Sequence, residues 1–107
     1  MAVSLSLYKD GLGILFDTPV SVEKYYHDTW DKANKELGIK LFIAYGKPFR
    51  FDDIPEVLDE LTRLKSWAEI NEHSYMSDRI DELMEIIPQI CDEYSSREDA
   101  SELYFYL

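Results

Sequence analysis

Polar and apolar residues alternate at the start of the chain. Val3, Leu5 and Leu7 interleave with Ser4, Ser6 and Tyr8, a two-residue period that predicts a strand with one face buried. Asp10-Gly11 follows, a pair that takes the backbone angles of a two-residue hairpin turn, and Leu12, Ile14 and Phe16 then alternate again. Residues 2–16 thus read as a β-hairpin, with Asp17-Thr18-Pro19 ending its second strand. From Ser21, a candidate helix cap, the spacing changes to that of a helix. Val22, Tyr25, Tyr26, Trp30, Ala33 and Leu37 share one side, and Gly38 closes the element. The short apolar run Leu41 to Tyr45 predicts an internal strand, and Phe49 and Phe51 flank Arg50 in a further extended piece.

Two more helical patterns follow. Asp53-x-x-Glu56 has the form of a capping box, with Pro55 in the first turn and an apolar stripe at Ile54, Val57, Leu58, Leu61, Leu64 and Ala68. Asn71 to Met76 reads as a polar loop, and Ser77 as the cap of a last helix. Its stripe is Ile80, Leu83, Met84, Ile87, Ile90, Cys91 and Tyr94. Pro88 inside that stripe removes a backbone donor and is expected to kink or split the helix near 84–87. After a loop over 95–99, Leu103, Phe105 and Leu107 alternate with Glu102, Tyr104 and Tyr106, a terminal strand. The order is β-β-α-β-α-α-β, a single α+β domain over residues 1–107 with a mixed small sheet packed on about three helices.

Composition agrees with a folded core: 46% hydrophobic and 14% aromatic residues do not make a disordered acidic tail. Charge changes the picture. Residues 1–51 hold seven Lys/Arg against six Asp/Glu, whereas residues 52–107 hold four against sixteen. The net −11 therefore belongs to the second half. Such an imbalance disfavours nucleic acid and anionic membrane as direct ligands and favours cationic partners.

The acids of the last helix make a stripe. Asp78, Asp81, Glu82, Glu85 and Asp92 fall at helical spacing opposite the apolar positions, with Arg79 as the one nearby cation. In the helix over 22–37, by contrast, Lys24–Asp28, Asp28–Lys32 and Asp31–Lys35 are spaced i,i+4 for ion pairs. A stripe of one sign is a solvated face about as often as a docking surface for Lys and Arg. Asp52, Asp53, Glu56, Asp59 and Glu60 form a second acidic patch that would extend it. Tyr75, in the loop before the last helix, joins the candidate contacts because tyrosine supplies interface area at little entropic cost.

Catalytic chemistry finds little support. Glu23, His27 and Asp31 recur at i,i+4, but two carboxylates and an imidazole at that spacing are common by chance, and no metal or cofactor is expected. Cys91 lies on an apolar stripe as a structural thiol, and as the single cysteine it rules out an internal disulfide. His73 beside Ser74 and Tyr75 lacks an orienting third group and reads as an exposed loop residue. The four glycines form no phosphate-binding loop. The N-terminal apolar stretch lacks a basic leader, and no run reaches the length of a membrane span, so a cytoplasmic protein that is not an enzyme is expected.

In size, charge and element order the whole chain resembles the bacterial immunity proteins that neutralise the toxin domains of contact-dependent inhibition and other polymorphic toxin systems. It is more loosely similar to barstar-like inhibitors, which are acidic, helix-rich and end in a strand, as Leu103–Leu107 would. The resemblance implies a one-to-one complex with a cognate basic toxin domain, a nuclease, whose substrate cleft the acids would occlude. The alternative on the same charge logic is a nucleic-acid mimic or adaptor that binds several basic host proteins.

Overall fold

The computed structural model describes residues 2–44 and 46–107. Three strands, β1 (Ala2–Lys9), β2 (Gly13–Val22) and β3 (Leu103–Tyr106), form a sheet in the order β2-β1-β3. Helix α1 begins as Glu23–Tyr25, passes through a π-helical turn at Tyr26–Trp30 and continues as Asp31–Leu37. Helices α2 (Ile54–Ile70) and α3 (Ser74–Tyr94) follow. The fold is α+β, as expected, with a small sheet packed on three helices.

Every pairing in the sheet is antiparallel, so it is not mixed. The run Leu41–Ala44 is irregular rather than a strand, and Tyr45 of the same expected strand lies outside the described residues. Phe49 takes the middle-strand role instead. It exchanges two backbone hydrogen bonds with Phe105 (3.0 and 2.7 Å), a single bridge that covers the outer edge of β3.

Val3, Leu5 and Leu7 point into the core, as their period predicts. β2 departs from expectation in three ways. Its turn is a three-residue loop, closed by the Leu12 N–H donating to the Lys9 carbonyl (3.1 Å), with Gly11 at φ 88° and Gly13 at φ 81°. A bulge at Leu15 then shifts the register, so that Ile14 faces Tyr8 on the outer side while Phe16 faces Leu7 on the inner side. Finally, Thr18 and Pro19 do not end the strand. β2 is an edge strand and bulges again at Val20, so the missing proline N–H breaks no ladder there. Ser21 is therefore buried within β2, donating to the Val22 carbonyl (3.1 Å), and does not cap α1.

Gly38 ends α1 at φ 66°, the left-handed position expected of it. The π-turn hydrogen bond runs from the Asp31 N–H to the Tyr26 carbonyl, five residues back, which spoils i,i+4 alignment across it. Among the described residues none of the three expected lysine–aspartate pairs of this helix closes as an ion pair; Asp31 takes His27 instead.

In α2 the capping box is displaced. Asp53 accepts the Arg50 N–H (3.1 Å) from a 3-10 turn over Phe51–Asp53 and makes no bond to the start of α2. α3 starts at Ser74, so Tyr75 and Met76 are helical and Ser77 lies within the first turn, its N–H bonded to the His73 carbonyl. α3 runs unbroken through Pro88, which sits on the exposed side where water can satisfy the freed carbonyl.

The core lies between the inner sheet face and the helices. Tyr26 and Trp30 stack in it (5.6 Å between centroids), with Phe42 beside Trp30, and Phe49 stacks on Phe105 (5.3 Å). No helix among the described residues is long and apolar enough to cross a membrane.

Candidate partner-binding surface

α2 and α3 form an antiparallel hairpin because the link between them is only three residues long. Its hydrogen bonds, His73 N–H to the Ala68 carbonyl (2.8 Å) and Asn71 N–H to the Trp67 carbonyl (3.0 Å), satisfy the end of α2. Glu72 takes φ 61° to make the turn. The ring of His73 stacks on Trp67 (5.3 Å), so this histidine is half-buried rather than an exposed loop residue. Apolar stripes hold the hairpin to the core, and the opposite faces are left to water.

On α3 the five expected acids are all exposed. Two of them are answered: Asp81 by Lys65 of α2 (2.6 Å) and Glu82 by Arg79 one turn away. Arg79 also donates to the carbonyls of Pro19 and Val20, bracing α3 against the edge of β2. Asp78, Glu85 and Asp92 make no ion pair among the described residues. The cations of the first half do not come across to them. Lys9 bridges Asp99 (2.8 Å) and, more weakly, Glu102 (3.9 Å), and Arg50 is held by the carbonyls of Ser101 and Leu103.

The second acidic patch divides. Asp52, Glu56 and Asp59 are exposed and without ion pairs among the described residues. Asp53 is half-buried in its backbone contact with Arg50. Glu60 leaves the surface altogether: it is 4% exposed and accepts the backbone N–H groups of Lys40 (2.9 Å), Leu41 (3.1 Å) and Phe42 (2.9 Å). The loop over 39–44 has no strand partner, so its free donors converge on one carboxylate. Glu60 is an internal clasp and cannot touch a partner. The signal for this was present in the sequence, since Glu60 falls beside Leu61 and Leu64 on the apolar side of α2.

Tyr75 is 40% exposed and meets Tyr25 edge to face at 4.8 Å, close to the His73–Trp67 stack. The arrangement leaves its ring partly free at the hairpin end of the acidic surface.

Compared with protein-family models, curated proteins and solved structures, the chain matches none.

His27 lies between Asp31 (Nδ1 at 3.0 Å) and Glu23 (Nε2 at 3.7 Å), and hydrogen bonding to Asp31 raises its pKa above 6.5. Among the described residues no group of three or more His, Cys, Asp or Glu side chains converges on a point that could hold a metal ion. Cys91 is half-buried, and burial, aided by Asp92, raises its pKa, the wrong direction for a thiolate nucleophile.

The sheet presents a further surface. Tyr8, Tyr104 and Tyr106 line the outer side of the sheet, where the alternation of Tyr104 and Tyr106 with Leu103 and Phe105 places them. That alternation is legible; their meeting with Tyr8 depends on strand order, which is not.

Proposed function

We propose that the protein is a stoichiometric inhibitor, an immunity protein that binds a cognate basic toxin domain one-to-one through the outer faces of α2 and α3. The observation that carries this reading is the absence of compensation on that surface: Asp78, Glu85, Asp92, Glu56 and Asp59 are exposed and hold no ion pair among the described residues. Like charges placed close together cost a few tenths of a kcal/mol per pair on a helix. A cationic partner turns that cost into attraction and speeds encounter. A nuclease toxin presents such a surface where nucleic-acid phosphates bind. On this reading the protein acts in the cytoplasm, beside the toxin's substrate, with no cofactor and no turnover.

The test is co-expression and stopped-flow binding with the toxin domain encoded beside the gene. A protective complex is expected, with an association rate that falls as salt rises. Glu85→Lys with Asp92→Lys should slow association without unfolding the chain, because neither carboxylate holds an ion pair among the described residues. No complex, or an association rate indifferent to both salt and charge reversal, would reject the reading. Capture of several unrelated basic proteins with moderate affinity would favour the mimic instead.

A further inference from the structure

The side of the sheet turned away from the core carries a hole and a knob next to each other. Strand register fixes the arrangement: Tyr8 lies opposite Tyr104 on one flank and opposite Ile14 on the other. The rings of Tyr8 and Tyr104 stack at 5.7 Å, and Tyr106 meets Tyr8 edge-on at 6.4 Å. With Pro48, Asp10 and Arg50 these three rings line a cleft of about 430 Å³. Immediately beside it the hairpin tip holds two large apolar side chains out in water, Leu12 at 64% and Ile14 at 55% exposure. The bulge at Leu15 is what turns Ile14 to this side.

We propose that the outer sheet face is a homodimer interface, in which a two-fold axis seats Ile14 of each copy in the tyrosine cleft of the other. An interface of this symmetry must be complementary to itself, and a cleft adjoining a matching ridge on one patch meets that condition. The charges at the rim are one of each sign. Asp10 is fixed by accepting from the Tyr104 hydroxyl (3.0 Å), and Arg50 by donating to the carbonyls of Ser101 (2.7 Å) and Leu103 (3.3 Å). The cleft therefore meets a second copy with one fixed charge of each sign rather than a block of like charge. Against the outer faces of α2 and α3 a second copy would meet mostly like charge, because the net −11 comes from residues 52–107. Tyrosine, which is enriched at interface centres, occupies the middle of the patch.

Sedimentation velocity from about 10 µM to about 1 mM tests this, a range that brackets a weak to moderate dimer. A monomer–dimer equilibrium is expected that tightens as salt rises, since screening relieves the repulsion between two copies of net charge −11. Ile14→Asp, at an exposed position, and Tyr8→Ala, at a half-buried one on the outer face, should each raise the dissociation constant at least about tenfold while leaving the circular dichroism spectrum unchanged. Glu85→Lys should not weaken the dimer. A monomer at every concentration overturns the proposal. So does a dimer indifferent to both sheet-face variants, and so does a monomer that uses these tyrosines to hold a different protein. The toxin reading stands or falls separately, because its complex weakens with salt and is lost on charge reversal of α3.

Discussion

On either side of the core the molecule turns a different surface to water. The outer faces of α2 and α3 carry carboxylates such as Asp78, Glu85 and Asp59 with no cation answering them among the described residues. The outer face of the sheet carries three tyrosines and Ile14, with one carboxylate and one guanidinium each already tied down. Charge acts across a Debye length, about 8 Å at physiological salt, and so sorts partners by sign before contact. Aromatic and apolar groups act only at contact and sort by shape. The difference teaches that salt should move the two surfaces in opposite directions, weakening what the helices hold and strengthening what the sheet holds. A buried core between them lets one small domain keep both.

The sharpest way to break that division is to attack the carboxylate that crosses it. Glu60 lies one turn beyond exposed Glu56 on α2, yet it is inside, accepting three backbone N–H groups. Replacing it with Ala strands three backbone donors, that of Phe42 fully buried, as well as removing charge-assisted bonds. We expect Glu60→Ala to cost about 3 kcal/mol or more in urea denaturation, and Glu60→Gln, which keeps one acceptor, about half of that. A loss below about 1 kcal/mol would show that the loop over 39–44 stands without the clasp, and Glu60 would then belong with the surface acids after all.

Charge reversal on the helical face should act on rates and leave the fold alone. Glu85→Lys with Asp92→Lys is expected to slow association with a basic partner about tenfold or more at low salt. The same pair should change folding stability by no more than about 0.5 kcal/mol. Stopped-flow fluorescence and urea melts of one preparation measure both. If stability shifts and the rate does not, the acids serve the fold, and the contrast between the two surfaces loses its electrostatic half.

What could be seen in the sequence follows the range of the forces involved. The strand of Val3, Leu5 and Leu7, the stripe from Val57 to Ala68 and the left-handed Gly38 are set by neighbours in sequence, and they stand where their pattern places them. Misplaced features depend on distant partners. Pro19 ends a strand only if that strand is internal, and β2 lies at the edge. Leu41–Ala44 has the composition of a strand but finds a carboxylate where a neighbouring strand would be. The stripe on α3 was legible as a face, and Glu60's place on the apolar side of α2 was legible too, whereas the pairing of Asp81 with Lys65 depends on how helices meet and the donors that Glu60 accepts depend on a loop about twenty residues away. The tyrosine cleft needed β1 to lie between the other two strands.

At the edge between the two surfaces, Asp99 joins the loop over 95–99 to β1 by accepting from Lys9, and it also holds Arg97. The hydrogen bond from Lys9, followed by that from Arg97, lowers its pKa from 3.8 to about 2. A lowered carboxylate adds stability that is present above pH 3.8 and is lost as pH falls towards 2. We therefore expect the loop, and with it the Lys9 end of β1, to loosen only in that acid window. Carboxyl-detected NMR should follow it, and Lys9→Ala should bring the Asp99 midpoint back up towards 3.8. A midpoint that ignores Lys9 would mean that Arg97 alone holds the group.

The smallest effect is expected at His27, on a helix that belongs to neither surface. Its two ring nitrogens face Asp31 at 3.0 Å and Glu23 at 3.7 Å, and the closer contact is the larger cause of its raised pKa. A raised histidine contributes below pH 6.5, and its contribution disappears as pH climbs through the folded-state value. An NMR titration should give a midpoint above 6.5, lowered more by Asp31→Asn than by Glu23→Gln. Neither substitution should alter partner association or dimer formation, because the charge it changes sits on α1. Were Asp31→Asn to change the salt response of either surface, the field of α1 would have to be counted with that of α2 and α3. The clean separation between a charged side and an aromatic side would then have to be redrawn around three helices instead of two.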